Sequence, residues 1–236
     1  MLPDLLLPLA GEYQIFNLFR YITFRSGGAM LTSLILALMF GDAFIRWLKS
    51  HQAEGQPIRS DGPESHILTK AGTPTMGGLL ILACFILSTL LWVPLKNPYL
   101  WPVLLVAASY GAIGAVDDWL KLKKRSSDGM SGRQKLLFQV IAAFLASLIL
   151  IQLSPEALRY GVALPFVKDT LLYLGIFYVP FAILVIVGAS NAVNLTDGLD
   201  GLAIVPVMIV ATCFALIAYL SGNINFSNYL QIHYVP

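Results

Sequence analysis

The sequence predicts an all-α, polytopic membrane helix bundle with about six transmembrane helices and a periplasmic N-terminus. Of the 236 residues, 57% are hydrophobic and only 12% are charged, and the mean hydropathy is +0.75. Soluble domains carry about 25% charged residues, so this composition is typical of a membrane protein. The net charge of +2 is too small for a nucleic-acid-binding surface, and nucleic acid is excluded as a partner.

Long uncharged runs locate the helices, because a transmembrane helix needs about 20 mainly apolar residues. Five such runs lie at 71–95, 97–116, 136–155, 170–196 and 201–236. A further helix, first in the chain, is expected over 22–47, with Arg25 and Asp42 close to its ends. Residues 1–21 are expected to form a short interfacial helix, and residues 1–236 to form one membrane domain.

The distribution of basic residues predicts the orientation, because cytoplasmic loops are enriched in Lys and Arg. Ten of the 15 Lys and Arg residues lie at the end of the first predicted helix or in the loops after the first and third predicted helices. We therefore expect these loops to be cytoplasmic and in contact with membrane lipid headgroups. Cys84 and Cys213 lie inside apolar runs and are interpreted as small buried hydrophobic residues.

Four carboxylates are placed at the same cytoplasmic membrane face by this topology. Asp117 and Asp118 end the third helix, and Asp197 and Asp200 lie in the junction between the fifth and sixth helices. Carboxylates near a bilayer are costly unless they are paired, protonated or bound to a cation. A solvated helix end is the alternative interpretation of the Asp117–Asp118 pair.

Two amides precede the second pair of carboxylates. Asn191 and Asn194 lie three residues apart ahead of Asp197, and Gly198 and Gly201 suit a turn. A continuous helix would rotate these polar residues onto different faces. A helix break near residues 196–198 would instead gather them around one cavity, whereas the simpler interpretation is a turn with an Asp cap.

The first cytoplasmic loop ends in a segment of small residues that enters the second helix. It runs from Lys70 through Thr73, Pro74 and Thr75 to Gly77 and Gly78. Its backbone and the helix dipole suit a phosphate, and Lys70 adds a positive charge. A plain helix entry or a helix-packing site explains the same residues.

Carboxylates, amides, a lysine and a Gly-Thr loop at a membrane surface suit a magnesium-dependent reaction on phosphates. Mg²⁺ prefers oxygen ligands and is usually held by one or two carboxylates together with substrate phosphate. Two anions that meet for phosphoryl transfer repel each other unless cations offset their charge. The position of the residues predicts one nucleotide-like substrate and one lipid-borne partner.

The motifs resemble those of the bacterial phospho-N-acetylmuramoyl-pentapeptide transferases (the MraY translocases). This family belongs to the polyprenyl-phosphate N-acetylhexosamine-1-phosphate transferase superfamily. The resemblance is carried by four segments in order along the chain: 61–64, 72–78, the Asp117–Asp118 pair with its trailing lysines, and 191–203.

The resemblance implies transfer of phospho-N-acetylmuramoyl-pentapeptide from UDP to undecaprenyl phosphate, giving lipid I and UMP. This reaction is the first membrane step of peptidoglycan synthesis, which cell-wall growth, cell shape and cell division require. The implied location is the bacterial cytoplasmic (inner) membrane, with the active site on the cytoplasmic face. The implied cofactor is Mg²⁺, the implied donor is UDP-MurNAc-pentapeptide, and the expected assembly is a homodimer.

The resemblance also implies roles for individual residues. Asp117 and Asp118 would be catalytic acids and candidate ligands of the metal, with Asp197 and Lys70 as further catalytic residues. Substrate would be bound by Thr75, Lys121, Lys135, Asn191, Asn194, Gly198, Leu199 and Asp200. Of these, Gly198, Leu199 and Asp200 would form part of a uridine pocket, and the two lysines would contact phosphates. Because a phosphate monoester has a second pKa near 6, our hypothesis is that Asp117 and Asp118 position phosphate and metal more than they act as bases.

Two features of the family are expected beyond the sixth helix, in a fold of about ten helices. They are a third essential Asp, which is the main magnesium ligand, and a His-rich cytoplasmic loop; the sequence up to Pro236 contains neither. The chain therefore resembles the N-terminal part of the larger transferase fold. The 236-residue polypeptide alone is expected to be inactive.

Two other functions compete with this interpretation. A related transferase would use UDP-N-acetylglucosamine as its donor, and a donor-competition assay separates the two. A membrane transporter subunit would place ionisable groups near the middle of the bilayer, whereas the four carboxylates here are predicted at helix ends.

Overall fold

The computed structural model describes residues 1–52, 73–125, 129–164, 167, 170–197 and 201–235. The described chain falls into two compact units, Met1–Ala142 and Ala143–Pro236, and each is considered by itself. Within the described residues, five helices are long and apolar enough to cross a membrane. The predicted class, an all-α multi-pass membrane protein, is confirmed, and the prediction of a single domain stays a prediction.

The first unit begins with a short helical segment and continues into long apolar helices. Its α-helices are α1 (Leu2–Leu6), α2 (Ile22–His51), α3 (Gly78–Trp92), α4 (Leu100–Lys124) and the start of α5 (Gly132–Leu153). Two 3₁₀ helices, Leu7–Gly11 and Gln14–Arg20, connect α1 to α2. The short N-terminal helix expected over residues 1–21 is therefore present as α1 and these turns.

Helix α3 is shorter than its uncharged run predicts. It has 15 residues, whereas about 20 are needed to span a bilayer. Just before its start, Met76 has a φ of 71°. This left-handed conformation is not part of a right-handed helix, so α3 begins after Met76. At its end, Val93 is extended with a φ of −90° and ψ of 138°, the conformation that a following proline, Pro94, favours.

Close contact between α2 and α3 depends on a glycine. Trp92, the last residue of α3, covers Gly28 of α2 so closely that a Cβ atom at Gly28 would overlap the indole ring. The indole nitrogen of Trp92 donates a hydrogen bond of 2.9 Å to the hydroxyl of Thr32. The ring of Phe19 stacks on Trp92 with centroids 5.6 Å apart, which joins the N-terminal segment to the helix pair.

The second unit contains a small hairpin between apolar helices. Strands β1 (Gly161–Ala163) and β2 (Leu171–Tyr173) are antiparallel, with Val162 opposite Leu172. The helices that follow are α6 (Tyr178–Thr196), α7 (Ile204–Ser221) and α8 (Ile224–Leu230).

Two of the predicted helices in this unit are shorter than their uncharged runs. The run over 170–196 includes β2, and helix α6 begins only after Gly175, whose φ is 52°. The run over 201–236 divides at Asn223, whose side chain accepts hydrogen bonds from the amides of Asn225 and Phe226 at 3.0 and 3.3 Å. Uncharged composition does not distinguish a strand or a second helix from one continuous helix.

Candidate functional site

The Asp117–Asp118 pair lies on α4, after the uncharged part of that helix. Lys121 lies one turn further on and contacts both carboxylates, because residues three and four positions apart share a helix face. Its Nζ atom is 2.7 Å from Oδ2 of Asp117 and 3.4 Å from Oδ1 of Asp118. Two negative charges and one positive charge therefore meet at a single point near the C-terminal end of α4.

The three charged side chains are largely shielded from solvent. The exposed fraction is 12% for Asp117, 21% for Lys121 and 28% for Asp118. Charges in such a position interact more strongly than charges on an open surface, because less water screens them. The ion pairs therefore restrict the positions of these three side chains.

A residue in the segment that precedes α3 also binds Asp118. The hydroxyl of Thr75 donates a hydrogen bond of 2.7 Å to Oδ2 of Asp118, and Thr75 itself is buried. The sequence predicted Thr75 and the Asp118 carboxylate as parts of one site, and the structure brings them into direct contact. This contact joins residues 43 positions apart.

A backbone amide in the segment that precedes α5 binds Asp117. The backbone amide of Met130 donates a hydrogen bond of 2.7 Å to Oδ1 of Asp117. The neighbouring residue must be small, because a Cβ atom at Gly129 would overlap the same carboxylate oxygen. Sequence reasoning did not identify Gly129 or Met130, and a lone glycine in a polar loop gives only a weak signal of such an approach.

Thr75 is in turn held by a residue that sequence reasoning also missed. The side chain of Gln52, directly after α2, accepts a 2.9 Å hydrogen bond from the amide of Thr75 and donates a 3.3 Å hydrogen bond to its carbonyl oxygen. No pattern in the sequence links a glutamine at the end of one helix to a residue 23 positions later.

The structure describes only some of the other predicted site residues of the first unit. Lys135 lies in the first turn of α5 and is half-buried. Lys70 and the 61–64 motif lie outside the described residues. Among the residues that the structure describes, no group of three or more His, Cys, Asp and Glu side chains is arranged to hold a metal ion.

The second predicted segment lies at the end of α6. The side-chain nitrogen Nδ2 of Asn191 donates a 2.9 Å hydrogen bond to the carbonyl of Val187, while Asn194 and Asp197 are exposed. Helix α6 ends at Thr196, so the expected helix break is present. Gly198, Leu199 and Asp200 lie outside the described residues, and a cavity shared by this segment and Asp117–Asp118 stays a prediction.

Comparison with known proteins gives the family. The model of Glycosyl transferase family 4 matches residues 100–233, which is more than half of the chain. The chain belongs to this family, and the predicted class, a transferase, is confirmed at this level.

A more specific resemblance covers both the N-terminal motif and the whole chain. Residues 70–82 match the phospho-N-acetylmuramoyl-pentapeptide-transferase signature 1. A phospho-N-acetylmuramoyl-pentapeptide-transferase of Granulibacter bethesdensis is 57% identical over 235 residues, which is 100% of this chain and 65% of the relative. The predicted resemblance is confirmed, and the chain spans about two thirds of the length of this relative.

Proposed function

We propose that this chain carries a phospho-sugar transferase site that moves phospho-N-acetylmuramoyl-pentapeptide from UDP to undecaprenyl phosphate. The products would be lipid I and UMP. The observation that carries the proposal is the contact of Lys121 with both Asp117 and Asp118, with Thr75 bonded to the second carboxylate. These residues lie on and beside a membrane helix, in a chain that is 57% identical to a phospho-N-acetylmuramoyl-pentapeptide-transferase.

The reaction joins two anions. An oxygen of the lipid phosphate would attack the sugar-linked phosphorus of the UDP donor, and the bond from that phosphorus to the UMP oxygen would break. UMP leaves with the electron pair, and the new bond gives a lipid diphosphate. Because both reactants are negatively charged, positive side chains that face the phosphates lower the barrier. Lys121, Lys135 and Lys70 would serve in this way.

The two carboxylates would contribute by binding a metal ion that contacts the substrate phosphates. Asp117 and Asp118 have the oxygen chemistry that Mg²⁺ prefers, and two carboxylates completed by substrate phosphate is a usual arrangement for this ion. These two carboxylates therefore fit Mg²⁺ as part of its ligand set, beside the third Asp that the resemblance implies. When bound, the ion would supply charge neutralisation for the diphosphate.

The uridine end of the donor would be bound by the turn after α6. Asn194 and Asp197 are exposed and close to the end of that helix, so their polar groups are open to a ligand. Asn191, Gly198, Leu199 and Asp200 complete the proposed pocket. In this proposal, the two segments share one site.

The proposed location follows from the basic residues and the apolar helices. The two basic loops would lie in the cytoplasm beside anionic headgroups. The site would then face the cytoplasm from the inner membrane, where a soluble nucleotide donor and a membrane-bound lipid phosphate both reach it. A homodimer is the proposed assembly.

A chimera provides the test, because the chain spans 65% of the length of its relative. This chain would replace the matching 235 residues of the Granulibacter enzyme, and the purified chimera would be supplied with undecaprenyl phosphate and Mg²⁺. We expect UMP release and lipid I formation with UDP-MurNAc-pentapeptide, and no competing product when UDP-N-acetylglucosamine is added. A folded chimera that transfers only N-acetylglucosamine phosphate, or nothing, would contradict the proposal.

A further inference from the structure

Gln52 is a polar residue at the C-terminal end of α2. It is the first residue after α2, where its own amide bonds to the carbonyl of Leu48 at 2.9 Å, and its side chain is half-buried. A primary amide can donate and accept at once, and this one pairs with both the amide and the carbonyl of Thr75 at 2.9 and 3.3 Å. The end of α2 is thereby joined to the segment that enters α3.

The backbone at this point needs such a partner. Met76 follows Thr75 with a φ of 71°, and a non-glycine residue in the left-handed region is strained. This conformation turns Thr75 out of the helical path that begins at Gly78. The hydrogen bonds from Gln52 satisfy the backbone groups that the helix does not, so they hold Thr75 in the displaced position.

In this displaced position, the Thr75 hydroxyl contacts Asp118. That hydroxyl donates to Oδ2 of Asp118 at 2.7 Å, while Lys121 lies 3.4 Å from the other oxygen of the same carboxylate. The orientation of Asp118 is therefore determined by one contact on its own helix and one contact that passes through Thr75 to Gln52.

We propose that Gln52 is a positioning residue of the transferase site, which acts by holding Thr75 so that its hydroxyl fixes the carboxylate of Asp118. This inference rests on the proposed function, because it assigns Gln52 a part in that reaction. Gln52 contacts no substrate in this proposal, and its influence on the reaction passes through Thr75 alone.

The test compares variants of the chimera described above. Gln52→Met keeps the length of the side chain and removes both hydrogen bonds to Thr75. We expect kcat to fall about tenfold, the effect of one lost hydrogen bond on a transition state, with KM for UDP-MurNAc-pentapeptide nearly unchanged. Gln152→Met is the matched control, since Gln152 is exposed near the end of α5, and we expect wild-type kinetics from it.

A double-mutant cycle separates positioning from a general structural role. Thr75→Val removes the hydroxyl but keeps the backbone that Gln52 contacts. In that background we expect Gln52→Met to cause no further loss of kcat, whereas losses that multiply would overturn the inference. Thr75→Ser, which keeps the hydroxyl, should restore the full effect of Gln52→Met.

Hydrogen exchange of this chain supplies a readout that does not depend on activity. We expect the Thr75 amide to exchange at least about tenfold faster in Gln52→Met, with the thermal unfolding midpoint close to that of the wild type. Unchanged exchange would overturn the inference. A wild-type chimera without transferase activity would contradict the proposed function and, with it, the positioning role of Gln52 in that reaction. An active chimera whose kcat is insensitive to Gln52→Met would overturn the inference alone.

Discussion

At the scale of single residues, the candidate site is held together by contacts from three separate segments. Lys121 on α4 neutralises part of the charge of Asp117 and Asp118. Thr75 and the amide of Met130 approach those two carboxylates from the segments before α3 and α5. Each carboxylate therefore has one partner on its own helix and one from elsewhere, which restricts it to a single orientation.

The role of Asp117 can be tested by its dependence on pH. A phosphate monoester has a second pKa near 6, so the lipid phosphate is already mostly dianionic at neutral pH. We expect Asp117→Asn in the chimera to lower kcat by about 100-fold, and the loss to persist as the pH rises from about 7 to 9. Glu12→Gln, at an exposed position in the N-terminal segment, should have no effect.

The opposite result would assign Asp117 the part of a general base. A base is needed only while the lipid phosphate still carries a proton. The loss caused by Asp117→Asn would then shrink as rising pH ionises the phosphate, and a rate that recovers at high pH would contradict the positioning role.

Gly129 should be intolerant of any side chain. Its Cβ would overlap Oδ1 of Asp117, and a shift of a reacting group by about 1 Å can cost up to about 100-fold in rate. We expect Gly129→Ala to lower the kcat of the chimera by about 10- to 100-fold while the protein stays folded. Gly132→Ala is the control, because a Cβ at Gly132 meets nothing within 4 Å. Equal rates for the two variants would show that Asp117 has room to move.

At the scale of elements, α4 carries the charged pair and its neighbours position it. Long uncharged runs predicted the helices because, in lipid, a helix satisfies every backbone polar group within its own segment. The same runs did not predict the hairpin of β1 and β2, the short α3 or the division between α7 and α8. These features depend on positive φ angles, a proline and an asparagine cap, which act on the backbone without changing the charge pattern.

The packing of α2 against α3 can be tested at a pair of neighbouring glycines. A Cβ at Gly28 would overlap Trp92, while a Cβ at Gly27 meets nothing within 4 Å. We expect Gly28→Ala to destabilise the chain by about 1–3 kcal/mol, whereas Gly27→Ala should be neutral or slightly stabilising. Thermal unfolding of the detergent-solubilised variants measures both. A Gly28→Ala midpoint equal to that of Gly27→Ala would contradict the observed contact.

At the scale of the whole molecule, sequence reasoning identified the charged core of the site and Thr75, but not the other residues that support them. The spacing of Asp117, Asp118 and Lys121 on one helix made their contact predictable from helical periodicity. The contacts of Gln52, Gly129 and Met130 depend on where separate segments meet. That information lies in the tertiary fold, and a single sequence shows no periodic signal for it.

The proposed function depends on one arrangement that we infer from the sequence, in which the end of α4 and the end of α6 contribute to one site on the same membrane face. Spin labels at Trp119 and Leu195, both exposed beside the two segments, would report the distance between them by pulsed electron paramagnetic resonance. The chain would be reconstituted in bilayers with Cys84 and Cys213 replaced by Ala. The account predicts a label separation well below the hydrocarbon thickness of about 30 Å. A separation above about 30 Å would place the segments at opposite faces or too far apart to hold one diphosphate, and would contradict the account.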